Sequence, residues 1–185
     1  MIESLSRVIV REYKDKVCVP LRVRSFKELF SLAKKARGNG VKYLEIWLDS
    51  LPGAPIVELQ KHPFLKPYIV VLKGKKERGG FRGDEKARLN ILLAAALSSA
   101  DFVDIGIEIE QVLLKKTLRR IFSQKKHAKV ILSYHNFQNT PSLPKLMKVC
   151  KKGFALGADI VKIATFVRKF SDNVILFELV SRMKN

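Results

Sequence analysis

Short apolar runs alternate with longer amphipathic segments along most of the chain. The apolar runs are rich in β-branched and aromatic residues, a pattern typical of strands that are buried on both faces. They predict six strands, over residues 16–21, 43–49, 68–73, 102–107, 129–136 and 160–166. The segments between and after them predict helices over residues 25–36, 56–62, 85–99, 111–125, 143–156 and 172–183. This alternation, with short connections, indicates a parallel α/β architecture with right-handed crossovers.

Local signals support the helix boundaries but leave the type of sheet open. Ser25 with Glu28 three residues later forms a capping-box pattern, and Gly38 and Gly40 end the first helix. Six βα units fit either a doubly wound sheet or part of a (βα)8 barrel. No GxGxxG sequence follows the first strand, so a dinucleotide-binding fold has no support. We expect one domain over the 185 residues, with residues 1–15 as an N-terminal extension.

The composition excludes several classes of protein. With 47% hydrophobic and 29% charged residues, the chain is not disordered. Its longest apolar stretch, residues 91–100, is about half as long as a membrane span, and no signal peptide is visible, so a cytoplasmic location is expected. Cys18 and Cys150 offer neither a disulfide framework nor a metal-ligand spacing, and we expect both to be buried thiols.

The charge is strongly positive: 36 Lys and Arg against 17 Asp and Glu give a net charge of +19. Such a surplus attracts polyanions. The basic residues are nevertheless spread over residues 73–88, 115–126 and 145–152, without interleaved aromatic residues or a nucleic-acid-binding motif. We therefore do not expect specific nucleic-acid binding. Solvated helix faces and the attraction of an anionic substrate account better for the charge.

Two residues near the ends of predicted strands are candidates for chemistry. Lys162 lies in the middle of the sixth apolar run, and His135 lies near the end of the fifth. One interpretation is that the Lys162 ammonium reaches water from the strand end. The other is a desolvated amine with a lowered pKa that forms a Schiff base with a carbonyl group. In a parallel βαβ unit both strand ends face one crevice, so His135 could transfer protons there, although a structural histidine is the alternative.

The sequences around these two residues carry a resemblance to a known family. SYHNF at residues 133–137 is followed by GADIVKIA at residues 157–164, with His135 and Lys162 separated by 27 positions. This pair of motifs resembles type I 3-dehydroquinate dehydratases, the Schiff-base-forming lyases of the shikimate pathway. The similarity extends from about residue 16 to the C-terminus. It implies a TIM-barrel-type (βα)8 fold, here truncated to six βα units.

The resemblance implies a complete set of roles. Lys162 matches the lysine that forms an imine with the C3 ketone of 3-dehydroquinate. His135 matches the general acid and base that removes a C2 proton and helps the C1 hydroxyl leave as water. Glu77 resembles the glutamate that orients this histidine, and Glu45 and Lys73 fall at substrate-binding positions. The implied product is 3-dehydroshikimate, an intermediate of aromatic amino acid biosynthesis, and no metal or organic cofactor is implied.

Three sequence departures leave a second interpretation open. Trp47 stands where the family has the arginine of a Glu-x-Arg sequence, and Trp cannot make forked, charge-assisted hydrogen bonds. Lys73 replaces an arginine at the end of the third strand. Arg78 interrupts the family's EGG motif, so either the loop carries one extra residue or Glu77 is displaced. The alternative is a catalytically degenerate relative that acts as a structural or interaction module.

The family pattern also contains two βα units beyond the sixth helix. A six-unit barrel has two open sheet edges, which are prone to pairing with other chains. We therefore expect a partner chain or self-association to cover these edges, or the strands to rearrange into an open sheet. A fragmentary gene is the remaining alternative.

Overall fold

The computed structural model describes residues 17–53, 55–98 and 100–183, so the predicted extension over residues 1–15 lies outside the described residues. The described residues form one sheet of six parallel strands. The strands are β1 (Cys18–Leu21), β2 (Tyr43–Trp47), β3 (Tyr68–Val71), β4 (Phe102–Gly106), β5 (Lys129–Asn136) and β6 (Ile160–Thr165).

The strand order decides between the two predicted types of sheet. The order is sequential from β1 to β6, whereas the strand order of a doubly wound sheet reverses at a switch point. The sheet is also curled, because Lys162 on β6 lies 2.6 Å from Glu45 on β2. The prediction of a barrel-type fold with six βα units is therefore confirmed. Among the described residues, β1 and β6 each pair with a strand on one side only.

All six predicted helices form, with small differences at their ends. They are α1 (Phe26–Gly38), α2 (Pro55–Gln60), α3 (Glu85–Ser98), α4 (Gln111–Phe122), α5 (Leu143–Ala155) and α6 (Phe170–Met183). The Ser25 hydroxyl accepts a hydrogen bond from the Glu28 backbone N–H at 3.2 Å, as the capping pattern predicts. Beyond α1, Gly40 adopts a φ of 79°, a conformation that favours glycine and ends the helical segment.

The sheet has an apolar layer on each face. On one face, strand residues such as Leu44, Ile105 and Leu132 pack against the helices in the main core. On the opposite, concave face, Ile69, Val71 and Ile131 form a second cluster, together with the partly buried Trp47 and Phe102. The concave layer supports the side chains that form the site described below.

The edge formed by β6 and α6 carries exposed apolar side chains. Ile160 is 42% exposed, Phe170 81% and Phe177 74%. Cys150 is buried as predicted, but Cys18 is exposed because it lies on edge strand β1, so the prediction of a buried thiol is wrong there. In the part of the chain that the structure describes, no helix is long and apolar enough to span a membrane.

Candidate functional site

Charged side chains converge on the concave face near the carboxyl ends of the strands. Side chains alternate between the two faces of a strand, so Glu45, Asp104 and Lys162 share the face that carries the second apolar cluster. The parallel register pairs Ser133 on β5 with Lys162 on β6. The five residues that the resemblance singles out are all brought together here: Glu45, Lys73, Glu77, His135 and Lys162.

Asp104 lies at the centre of the cluster. Its Oδ1 accepts hydrogen bonds from Lys73 Nζ at 2.8 Å and from the Ser133 hydroxyl at 2.5 Å, and its Oδ2 accepts one from Lys162 Nζ at 3.2 Å. Burial raises the pKa of this carboxyl, but the charges of Lys73 and Lys162 and these hydrogen bonds bring it down to about 2. Asp104 is therefore ionised and holds the two lysines on either side of it.

Lys73 is enclosed by the protein. Its side chain is 2% exposed, and its ammonium donates to Asp104, to Glu77 Oε1 at 2.9 Å and to Ser133 Oγ at 2.9 Å. An ammonium has three N–H donors, so these contacts use all of them. The structure thus places Lys73 at the site, but with its donors committed to protein groups rather than facing an open space.

Glu77 lies between Lys73 and the histidine. Its Oε1 is 3.7 Å from His135 Nδ1, and its Oε2 accepts a hydrogen bond from an Arg88 guanidinium nitrogen. Burial raises the pKa of Glu77, but the positive charges of Lys73 and Arg88 lower it by a larger amount, so the pKa lies below its ordinary value. Of the two interpretations of Arg78, the geometry favours an extra residue in the loop, because Glu77 still lies beside the imidazole.

The loop that holds Glu77 is fixed by close backbone contacts. Asp49 accepts hydrogen bonds from the backbone N–H groups of Lys73 at 3.1 Å and Gly80 at 2.7 Å. A Cβ atom on Gly79 would lie 1.9 Å from the Lys73 carbonyl oxygen, a separation that atoms do not tolerate. Arg78, the extra residue in this loop, adopts a left-handed conformation with φ 60°.

His135 is mostly buried in a polar setting. Its side chain is 15% exposed, and its ring stacks on Phe137 with a centroid distance of 5.8 Å. Burial and the positive charge of Lys73 lower its pKa, and this effect exceeds the opposing effect of Asp104 and Glu77. The neutral imidazole therefore predominates near pH 7 and is able to accept a proton.

Lys162 donates hydrogen bonds to two carboxylates, Glu45 Oε2 at 2.6 Å and Asp104 Oδ2 at 3.2 Å. Burial lowers the pKa of this amine, but the two carboxylates raise it by more, so it lies above the ordinary value of 10.5. The hypothesis of a lowered pKa is therefore wrong. The side chain is 34% exposed, since β6 is an edge strand.

Three further residues of the cluster are not found by the sequence reasoning. They are Asp104 and Ser133, which bond to the lysines, and Arg88, which bonds to Glu77. The available signal for Asp104 is an acidic residue inside an otherwise apolar strand, because a buried carboxylate requires a partner. Ser133 and Arg88 carry no comparable signal, since a serine in a strand and a basic residue on a helix are ordinary.

A cavity of about 360 Å³ lies on the His135 side of the cluster. Carboxylates outnumber cations in its wall, so it is a poor place for an anionic ligand. The concave face beside Lys162 is the better candidate. The charged residues that line the cavity are Glu77, Glu85, Glu108, Glu110, Lys76 and Arg88.

A parallel βα sheet that curls around charged side chains at the carboxyl ends of its strands defines the site of a βα-barrel-type enzyme fold. The family model for type I 3-dehydroquinase matches residues 17–185. The chain belongs to the type I 3-dehydroquinase family, as the two sequence motifs predict.

Individual relatives agree with this assignment, and a solved structure agrees with the fold. The chain is 32% identical over 168 residues to the 3-dehydroquinate dehydratase of Methanothermobacter thermautotrophicus, covering 90% of this chain and 72% of that protein. It is 31% identical over 173 residues to the chloroplastic bifunctional 3-dehydroquinate dehydratase/shikimate dehydrogenase of Arabidopsis thaliana, covering 90% of this chain and 28% of that protein. A crystal structure of the type I 3-dehydroquinate dehydratase of Clostridium difficile, with covalently modified comenic acid, superposes with a TM-score of 0.79 at 19% identity, covering 91% of this chain and 69% of that chain. The family is one of lyases of the shikimate pathway.

Proposed function

We propose that this protein dehydrates 3-dehydroquinate to 3-dehydroshikimate through a Schiff base on Lys162, with His135 as general acid and base. One relationship carries the proposal. Lys162 on β6 pairs in register with Ser133 on β5, and His135 lies on β5 two residues after Ser133. The amine and the imidazole therefore share one face of the sheet. The family membership supplies the substrate class.

The first step requires Lys162 to lose a proton. Its ammonium is bonded to Glu45 and Asp104, and Glu45, at 2.6 Å, is the nearer acceptor. The free amine attacks the C3 ketone to give a carbinolamine. Its hydroxyl takes back the proton that Glu45 accepted and leaves as water, so that a protonated imine remains. The carboxylates that favour the ammonium also favour this cation, because it carries the same charge in the same place.

The second step uses the imine as an electron sink. The protonated imine acidifies the adjacent C2–H bond, and neutral His135 removes that proton to give an enamine. The enamine then expels the C1 hydroxyl, which takes a proton from His135 and leaves as water. Hydrolysis of the imine returns the Lys162 amine, so the net reaction is the loss of one water molecule. Glu77, 3.7 Å from the ring, orients the histidine.

Borohydride trapping tests the proposal. The protein is incubated with 3-dehydroquinate and reduced, and the peptide that contains Lys162 is searched by mass spectrometry for an adduct. We expect an adduct in the wild type and in His135→Ala, but not in Lys162→Ala. Turnover in His135→Ala should fall by about 10²-fold or more, since a general acid/base typically contributes that much. Lys151→Ala, which removes an exposed lysine from α5, is the matched control. Wild-type turnover in folded Lys162→Ala would contradict the mechanism.

The alternative, a non-catalytic relative, also has an observation in its favour. The amine of Lys162 is held as an ammonium by two carboxylates, so it is not poised for attack without substrate. Folded wild-type protein that forms no adduct would support this alternative. The exposed Ile160, Phe170 and Phe177 support the further proposal that a second copy or a partner chain covers the β6 edge. Sedimentation velocity of the purified protein tests self-association.

A further inference from the structure

Arg22 lies immediately after β1, on the concave side of the sheet. The register pairs Pro20 with Glu45 and Leu21 with Ile46, so Arg22 is the next residue along and lies opposite Trp47. Its guanidinium carbon is 5.1 Å from the centre of the Trp47 ring. The residue is otherwise exposed. A guanidinium thus lies within cation–π distance of an aromatic ring at the carboxyl end of a strand, where barrel sites are built.

The ring that carries Arg22 is itself connected to Lys162. Trp47 Nε1 donates a hydrogen bond to Glu45 Oε1 at 2.9 Å, and the other oxygen of Glu45 accepts one from Lys162 at 2.6 Å. The indole is therefore fixed by its own hydrogen bond, and its face positions Arg22 relative to the lysine. Arg22 is thus connected to the Lys162 amine through two intervening side chains, those of Trp47 and Glu45.

The cations within the cluster are already neutralised. The ammonium and guanidinium groups of Lys73, Arg88 and Lys162 are all bonded to carboxylates. The carboxylates concerned are Glu45, Glu77, Glu85 and Asp104, so three positive formal charges face four negative ones. In contrast, the Arg22 guanidinium makes no hydrogen bond or ion pair to any residue that the structure describes, and its contact is the Trp47 ring. Its donors remain available to a ligand.

We propose that Arg22 binds the carboxylate of the substrate. This inference rests on the proposed function, which supplies an anionic substrate that is bonded to Lys162. A guanidinium presents two parallel N–H donors that match a carboxylate, and the face of the Trp47 ring offers no oxygen to accept them. Trp47 gains a role in this arrangement. Trp47 cannot make the hydrogen bonds of the family's arginine, but its ring contacts Arg22, which follows the neighbouring strand β1.

Calorimetric titration with quinate tests this assignment without the Schiff-base step. Quinate is a polyhydroxylated cyclohexane carboxylate that has no ketone and cannot form an imine. We expect Arg22→Ala to weaken quinate binding by about tenfold to a hundredfold, the usual effect of a charged hydrogen bond. Arg22→Lys, which keeps the charge but not the fork, should give an intermediate loss. Arg24→Ala, in the same exposed segment, should bind as the wild type does.

The neutral amide of quinate distinguishes the carboxylate from the hydroxyl groups. Binding of the amide should be nearly the same in wild type and Arg22→Ala. Equal losses for the acid and the amide, or no loss for the acid, would overturn the proposal. A loss found in Arg78→Ala, whose guanidinium stacks on Phe137 at 4.4 Å, but absent from Arg22→Ala would also overturn it.

A rescue variant and the trapping assay complete the test. In the Arg22→Ala/Trp47→Arg double variant, a guanidinium on β2 should restore part of the quinate affinity. If quinate binding depends on Arg22 but no Lys162 adduct forms, the proposed reaction fails and the anion site stands. If the adduct forms but the half-saturating substrate concentration is unchanged in Arg22→Ala, this inference alone fails.

Discussion

The Lys73 ammonium and the Asp104 carboxylate form a 2.8 Å ion pair in which the two side chains are 2% and 0% exposed. Removing two such charges from water is costly, and their attraction offsets the cost only when other groups satisfy the remaining donors and acceptors. Glu77 and Ser133 do so for Lys73, and Ser133 and Lys162 do so for Asp104. Both residues should therefore affect the stability of the fold as well as its chemistry.

Replacing Lys73 by methionine should destabilise the protein by about 3–5 kcal/mol, because it leaves buried carboxylates without a cation. The two side chains have similar length, so loss of packing contributes little. Urea denaturation measures the change in the free energy of unfolding. Lys75→Met, at an exposed position in the same loop, is the control and should lie within about 0.5 kcal/mol of the wild type. A similar small effect at Lys73 would show that the buried pair contributes no net stability.

Asp104 should make stability depend on acid pH. Its pKa is about 2 in the folded protein against an ordinary value of 3.8, so the unfolded chain takes up this proton more readily. The resulting stabilisation, on the order of 2 kcal/mol, is fully present above the ordinary pKa and is lost as the pH falls through the folded value. Urea midpoints at several pH values, compared between wild type and Asp104→Asn, measure it. A constant difference between the two proteins from about pH 6 to pH 2 would contradict the assignment.

Imine formation should accelerate as the pH rises. The raised pKa of Lys162 leaves little free amine near neutrality, and the free fraction grows about tenfold per pH unit well below the pKa. The initial rate of borohydride-trapped adduct, measured in His135→Ala to prevent turnover, should follow this slope between about pH 7 and 9. Glu45→Gln removes the carboxylate at 2.6 Å and should lower the pKa of Lys162, so the rise of the rate with pH should level off at a lower pH than it does with Glu45 present. A plateau near pH 8 would show that the amine has a lowered pKa after all.

Adding a methyl group at Gly79 should disrupt the loop that holds Glu77. The new Cβ would meet the Lys73 carbonyl oxygen at 1.9 Å, so the backbone must move. We expect Gly79→Ala to lose about 2 kcal/mol or more of stability. Gly74→Ala is the matched control, because no atom lies within 4 Å of its added Cβ and its φ of −83° suits alanine. Equal stability of the two variants, measured by thermal unfolding, would show that the loop relaxes without cost.

The sequence predicts the architecture well, since the six strands and six helices follow from periodicity and caps. Periodicity does not give the strand order, because a doubly wound sheet and a barrel contain the same βα units. The motifs around His135 and Lys162 identify the family and two of the site residues. The protonation state of Lys162 is mispredicted, because the carboxylates that raise its pKa come from β2 and β4.

The contacts between distant strands explain the other omissions. Ser133 is an ordinary strand residue until β4 brings Asp104 within 2.5 Å of its hydroxyl. Arg22 and Trp47 are 25 positions apart in the sequence and meet only because β1 and β2 are in register. Such partners depend on register and curl, which a local pattern does not encode.

The bond between Glu45 and Lys162 joins residues 117 positions apart. During synthesis at about 5–20 residues per second, roughly 6 to 23 seconds separate the appearance of the two residues. Throughout that interval Glu45 lacks the cation that it binds in the folded protein, Asp104 lacks the same lysine from the time it is made, and the growing sheet ends in an unpaired strand. The nascent chain therefore exposes its acidic centre and a free edge to the cell for longer than a protein of local contacts would, and chaperones that bind unpaired strands have time to act on it.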